Sequence, residues 1–249
     1  MKTEAFYSQY WQSGVHENPE WDQRTFQNVM APLVGLNRVL DYGCGVGYAY
    51  QRLLSSSVTD YVGADVAEFA LANARQKGLE TLRINPETGA IEGPDATFDG
   101  AAIIEVLEHL FDPLQAAREL HRVLKPGGVL VVTVPNFGYH AWRLLALLRA
   151  QVPSEPERPL ENRYNGVHIR FFSKLMLERL LRDAGFSNIK FGSFDQSSIW
   201  DVFEAAGYLG YISKFARQYL PGFMHLRFLQ DLWPNVCAKR LRISAWKPV

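Results

Sequence analysis

The sequence predicts an α/β fold, a doubly wound, mostly parallel sheet with helices on its faces. Two observations carry this. Short apolar runs alternate with amphipathic segments between Arg38 and Val134, the pattern of strands and crossover helices. A glycine-rich turn, Asp41-Tyr42-Gly43-Cys44-Gly45-Val46-Gly47, joins the first apolar run to a helix-like segment. In such sheets ligands bind at the carboxyl ends of the strands.

The elements follow in order. Residues 4–35 read as helical and rich in aromatics. The first strand is about 37–42, and a helix runs from Tyr48 to Leu54. Asp60 to Asp65 is a short strand ending in an acid, and Glu68 to Gly78 a helix stopped by glycine. Leu82-Arg83-Ile84 is a weak strand, and Gly100 to Ile104 a buried one by its continuous apolar character. Pro113 to Leu124 is an amphipathic helix, and Lys125-Pro126-Gly127-Gly128 turns into the strand Val129 to Val134. Beyond it, His140 to Arg149 reads as a helix, followed by a proline-rich, charged stretch from Val152 to Pro159. Ser173 caps a helix that reaches Ala184. Ile189 to Phe194 and Lys239 to Trp246 read as strands, with a mostly helical, aromatic segment, 198–233, between them.

Composition bounds the function. The 249 residues, 47% hydrophobic, suit one α/β domain with insertions. Twenty-six basic residues balance 26 acidic ones, and no lysine or arginine stripe suits nucleic acid. Cys44 and Cys237 form neither a metal cluster nor a disulfide framework, which fits a reducing cytoplasm. The start, Met1-Lys2-Thr3-Glu4, shows no signal-peptide pattern. Every apolar run is shorter than the ~20 residues that span a bilayer.

The glycine turn separates two nucleotide chemistries. Its spacing is G-x-G-x-G, and Tyr48 stands where a dinucleotide fingerprint has its third glycine. No Lys-Ser/Thr pair follows, so it is not a phosphate-cradling loop either. If a helix opens at Glu105, then Glu105, Glu108 and His109 share one face by i,i+3 and i,i+4 spacing.

Four pieces, VLDYGCGVG (39–47), YVGADV (61–66), FDGAAIIEVLEHL (98–110) and LKPGGVLVVTVPN (124–136), together resemble the class I S-adenosylmethionine-dependent methyltransferases. A fifth, HIRFFSKLMLERLLRDAGF (168–186), resembles the bacterial small-molecule subgroup that includes ubiquinone-biosynthesis O-methyltransferases and MetW-like proteins. The resemblance implies a Rossmann-like, mostly parallel seven-stranded sheet with an antiparallel last strand and a helical cap. It implies one domain over 1–249, with residues 1–35 folded over the cofactor and cap insertions at 136–167 and 196–235.

The cofactor implied is S-adenosylmethionine. Gly43, Cys44, Gly45 and Gly47 would pack their backbone against it. Asp41 would attract its ammonium. Asp65, 24 residues further on, would accept the ribose hydroxyls, or else cap a helix. Val66 would lie against adenine. The family often has an acid after the third strand; here stands Asn85, which would hydrogen-bond the base. Glu105 and Val106 would line the cofactor. Tyr7, Tyr10 and Trp11 would cover it or serve as core packing, and Arg24 would meet the methionine carboxylate.

The catalytic candidates are His109, His168 and Glu108. Either histidine would serve as general base, though His168 equally suits a structural role. Some ubiquinone O-methyltransferases hold a divalent metal on an E-x-x-E-H pattern; no metal is expected here. The acceptor implied is a small aromatic or hydrophobic molecule, methylated at oxygen before nitrogen. The aromatics Trp200 to Trp233 would form a packed cap, an acceptor lining, a membrane contact or a dimer surface. The rival readings are a non-catalytic partner of MetW type and an enzyme acting on a lipid-linked acceptor.

Overall fold

The computed structural model describes residues 3–13, 23–53, 58, 60–139, 143, 147, 168–192 and 240–249. Two helices lead, α1 (Thr3–Gln12) and α2 (Gln23–Met30). Then come β1 (Arg38–Tyr42), α3 (Tyr48–Leu53), β2 (Asp60–Asp65), α4 (Glu68–Gln76) and β3 (Glu80–Arg83). After them run β4 (Phe98–Ile104), α5 (Pro113–Val123), β5 (Leu124–Pro135), α6 (Lys174–Asp183), β6 (Ser187–Gly192) and β7 (Arg240–Trp246).

The strands form one seven-stranded sheet in the order β3-β2-β1-β4-β5-β7-β6. Pairings among β1 to β5 are parallel, and β7 runs antiparallel to both β5 and β6. The expected antiparallel last strand is therefore present. The strand order reverses between β1 and β4, so the ends of β1, β2 and β4 face a cleft at the switch point. Leu71 and Ala74 of α4 and Val29 and Met30 of α2 pack with Val39 and Val131 on one face. On the other face Leu120 of α5 and Leu177 and Leu181 of α6 pack with Leu40, Ile103 and Val132.

Local chemistry explains most boundaries. Asp112 caps α5 by accepting from Gln115 N at 2.9 Å, ahead of Pro113 at the first helical position. Ser173 caps α6 through Met176 N. Gly78 ends α4 at φ +88°. The Lys125–Gly128 turn is a bulge at the start of β5: the register jumps from Phe98 opposite Leu124 to Gly100 opposite Val129. The weak third strand lies slightly earlier than expected, and Ile84 bridges Ile91 instead. Beyond Tyr139, only Arg143, Leu147 and the segment from His168 belong to the described part of the first insertion and its flank. The proline-rich stretch, Cys237 and the aromatics between Trp200 and Trp233 lie outside the described residues. Among the described residues no helix is long and apolar enough to cross a membrane.

Candidate active site

The end of β1 turns through Gly43, Gly45 and Gly47 at φ +83°, +53° and +80°, all in the left-handed region. A Cβ on Gly43 would fall 2.5 Å from Val106 Cγ2, and one on Gly45 would enter the Trp11 indole. The turn is closed onto β2, since Gly43 N and Cys44 N both donate to Ala64 O, at 2.7 and 3.0 Å. Asp65 completes the closure. Its Oδ2 accepts from Gly45 N at 3.0 Å and its Oδ1 from Ala67 N at 2.9 Å. Asp65 does not cap α4, whose N-cap is Ala67 and carries no side-chain cap hydrogen bond. Lys77 Nζ holds the loop from α4 by donating to Val46 O at 2.7 Å. The Cys44 side chain is buried in the same core cluster as Val39, Leu71 and Leu79. Only its backbone belongs to the loop surface.

Burial raises the Asp41 carboxyl from 3.8 to about 7; the Tyr61 phenol facing it lowers this and Asp65 adds to it. Burial likewise raises Asp65, opposed by the N–H groups of Ala67, Gly45 and Val66. Two buried acids beside a glycine-rich turn suit a ligand that brings a cation and hydroxyl donors. S-Adenosylmethionine has both, so the residues present fit it. Helix α1 crosses this end of the sheet. Trp11 lies on Gly45, and Tyr10 meets the Trp11 ring edge-on at 5.7 Å. Burial raises the Tyr7 phenol to about 12, with the charges of Asp65 and Glu108 adding to it. Glu4 ties α1 to β3 through Arg83 at 2.8 Å. The side chain of Arg24 lies outside the described residues.

Beyond β4 no α-helix opens at Glu105, so the condition for a shared helical face is not met. Glu105 sits at φ +54°, its N–H donating to Thr133 O at 3.1 Å, and only a 3-10 turn, Leu107–His109, follows. Its carboxylate pairs with Arg240 Nε of β7 at 3.3 Å. The three residues therefore do not share one helical face. His168 comes in beside the other two instead: its Nε2 lies 3.9 Å from Glu108 Oε1, and its ring is 4.8 Å from that of His109. Ile169 N and Arg170 N both donate to Glu108 O, at 2.9 and 3.0 Å, and this pins the segment that carries His168. Glu108 is 1% exposed, and among the described residues neither carboxylate oxygen accepts a hydrogen bond. Burial first, and then the charge of Glu105, push its carboxyl well above the usual range. Glu108, His109 and His168 are also the residues that could hold a metal, with ligating atoms within 4.8 Å of one another. Bonds of about 2.1 Å would draw them closer.

Val66 and Val106 are half-buried against the core, near the ends of β2 and β4. Asn85 Oδ1 accepts from Glu87 N at 2.9 Å and Thr88 N at 3.1 Å, so its oxygen serves its own turn. Sequence reasoning missed Arg240 and Lys77. Arg240 begins a strand whose register puts it at the end of β5, opposite Pro135, and only that pairing reveals it.

A methyltransferase-domain family matches residues 5–190. The chain belongs to this family. The S-adenosylmethionine-dependent class predicted from the motifs is confirmed. It is similar to a protein of Mycolicibacterium smegmatis named as a probable S-adenosylmethionine-dependent methyltransferase, 29% identical over 176 residues, 70% of this chain and 62% of that protein. It is similar to a ubiquinone biosynthesis O-methyltransferase of Ruegeria pomeroyi, 35% identical over 125 residues, 49% of each chain. The chain thus spans about half to under two thirds of the length of these relatives. Among solved structures, a SAM-dependent methyltransferase from Thermotoga maritima superposes with a TM-score of 0.61 at 18% identity, covering 98% of this chain and 97% of that one. That likeness shows the fold.

Proposed function

We propose that the protein binds S-adenosylmethionine at the ends of β1, β2 and β3 and methylates a hydroxyl oxygen of a small, apolar acceptor. When bound, the cofactor supplies a methyl group on a sulfonium, an electrophile that needs alignment more than activation. Asp65 accepts the ribose hydroxyls, Asp41 faces the ammonium, and the glycine turn allows close backbone approach. Val66, Val106 and α1 enclose the rest. One observation carries the choice of a hydroxyl: two imidazoles and a buried carboxyl meet within one cluster at the end of β4. His109 or His168 takes the hydroxyl proton, and the Glu108 carboxyl lies 3.9 Å from His168 Nε2. The O-methyltransferase named among the relatives supports oxygen over nitrogen.

The test is direct. Calorimetric titration shows S-adenosylmethionine binding, and its failure would refute the enzyme reading in favour of a non-catalytic partner protein. His109→Ala lowers kcat by about 10²-fold or more while the cofactor Kd changes less than about threefold; undiminished turnover clears His109 of a catalytic role. Exhaustive chelation leaves activity intact. A loss that added metal restores would make the cluster a metal centre.

A further inference from the structure

At the edge of the sheet, β6 and β7 turn one face toward a cavity. Side chains alternate along a strand. Leu241, Ile243 and Ala245 of β7 are buried in the core that holds α5 and α6, so Arg242, Ser244 and Trp246 face the opposite side. The register sets Lys190 of β6 beside Ser244 and Gly192 beside Arg242. Together with Pro32, in the 3-10 turn Ala31–Leu33 after α2, these residues line a cavity of about 200 Å³. It lies on the face of the sheet, at the edge away from the switch point between β1 and β4.

The lining is cationic. Among the described residues that form it, Lys190 and Arg242 carry charge and none is an acid. Lys190 is exposed, with its Nζ 5.2 Å from the centre of the Trp246 ring. Arg242 is more enclosed. Among the described residues its guanidinium makes neither an ion pair nor a hydrogen bond, and burial lowers its pKa with no acid to oppose the shift. A guanidinium cannot shed its charge, so this one bears the cost of partial desolvation without compensation. Gly192 gives it room, since Arg242 Nη1 lies 3.6 Å from the place a Cβ there would take. Ser244 is 6% exposed, yet among the described residues its hydroxyl has no hydrogen-bond partner. Buried hydroxyls are normally bonded. An unpaired, half-buried cation and an unbonded hydroxyl on one cavity are two independent marks of an anion site.

We propose that this cavity binds a small organic carboxylate, held by Arg242 and Ser244, with its apolar body between Pro32 and the Trp246 ring. A guanidinium offers two parallel N–H donors that match the two oxygens of a carboxylate. The Ser244 hydroxyl donates to the same group, and Lys190 attracts it from the rim. A bare inorganic anion would answer the cations but leave Pro32 and Trp246 facing water, so an apolar body belongs to the fit. None of these residues belongs to the cluster of Glu108, His109 and His168, and the proposal does not depend on the cofactor assignment.

The indole N–H resonance of Trp246, assigned by its loss in Trp246→Phe, reports on the cavity in the full-length chain. Sodium benzoate shifts it saturably, whereas benzamide, of the same shape without the charge, does not. No saturable shift with benzoate, or equal binding of benzamide, overturns the proposal. Saturation by inorganic phosphate with none by benzoate overturns the choice of an organic carboxylate. Arg242→Gln weakens benzoate about tenfold or more. Lys190→Glu sets an acid beside Arg242 and abolishes the response, and because Lys190 is exposed its replacement leaves the fold intact. Unchanged benzoate affinity in either variant refutes the assignment. The Kd of S-adenosylmethionine is the same for Lys190→Glu as for the wild type, and a shifted value would overturn the separation of the two sites.

Discussion

The two ends of the sheet treat charge in opposite ways. Where the strands begin, charges are paired and partly in water. Arg38 meets Asp60 and Glu80, each at 3.1 Å, and Lys125 meets Asp99 at 2.7 Å. The Lys125 hydrogen bond holds the Asp99 carboxyl below its usual range, against a small opposing effect of burial. Where the strands finish, Asp41, Asp65 and Glu108 are buried, and their carboxyls are pushed up. A buried acid without a cation costs folding free energy. The first end is organised for the scaffold alone, whereas the second is complete only with a ligand that brings positive charge and hydrogen-bond donors.

Breaking the ligand end should produce the largest effects. Asp65→Ala removes the acceptor of the Gly45 and Ala67 N–H groups as well as the acceptor proposed for the ribose. It should weaken S-adenosylmethionine by about 10²-fold, measured by titration; unchanged affinity would refute the ribose assignment. Asp41→Asn sharpens the contrast, because it trades function for stability. Below about pH 4 Asp41 is protonated in both folded and unfolded chains. Between there and about pH 7 the folded chain keeps the proton that the unfolded chain loses, so stability falls as pH rises through this window. Above it both are ionised, and the full penalty, on the order of 4 kcal/mol, is present. Asp41→Asn should therefore raise Tm at pH 8 and leave it unchanged near pH 4. Equal Tm shifts at both pH values would contradict this account. At the opposite end, Lys125→Ala should cost less than about 1 kcal/mol and leave the cofactor Kd unchanged.

Much of the fold was legible because local rules acted where tertiary structure agreed with them. Asp112-Pro113, Ser173 and Gly78 mark helix ends through capping hydrogen bonds and positive φ, which depend on neighbours in sequence. The glycine turn was legible for the same reason. The segment after β4 misled because Glu105, Glu108 and His109 have helical spacing. The pairing of β5 with β7 brings Arg240 to Glu105, and Glu105 takes φ +54°. Spacing describes a helix only if one forms.

Asn85 shows the same limit at a smaller scale. Its residue type announced a polar group after the third strand, but not which half of the carboxamide faces outward. Two backbone N–H groups decided that. Cys44 likewise sits in the expected loop, with its sulfur in the core.

By itself, then, the sequence determined the alternation of strands and helices, the spacing of the glycine turn and the acids at the strand ends. These follow from periodicity and backbone freedom within a few residues. Only the tertiary structure decided that His168 stands beside Glu108 and His109, that Trp11 lies on Gly45, and that Glu105 answers to Arg240. Those partners are distant in the chain. They meet because the sheet's strand order and the hydrogen bonds of individual residues bring them together, and neither leaves a periodic trace in the sequence.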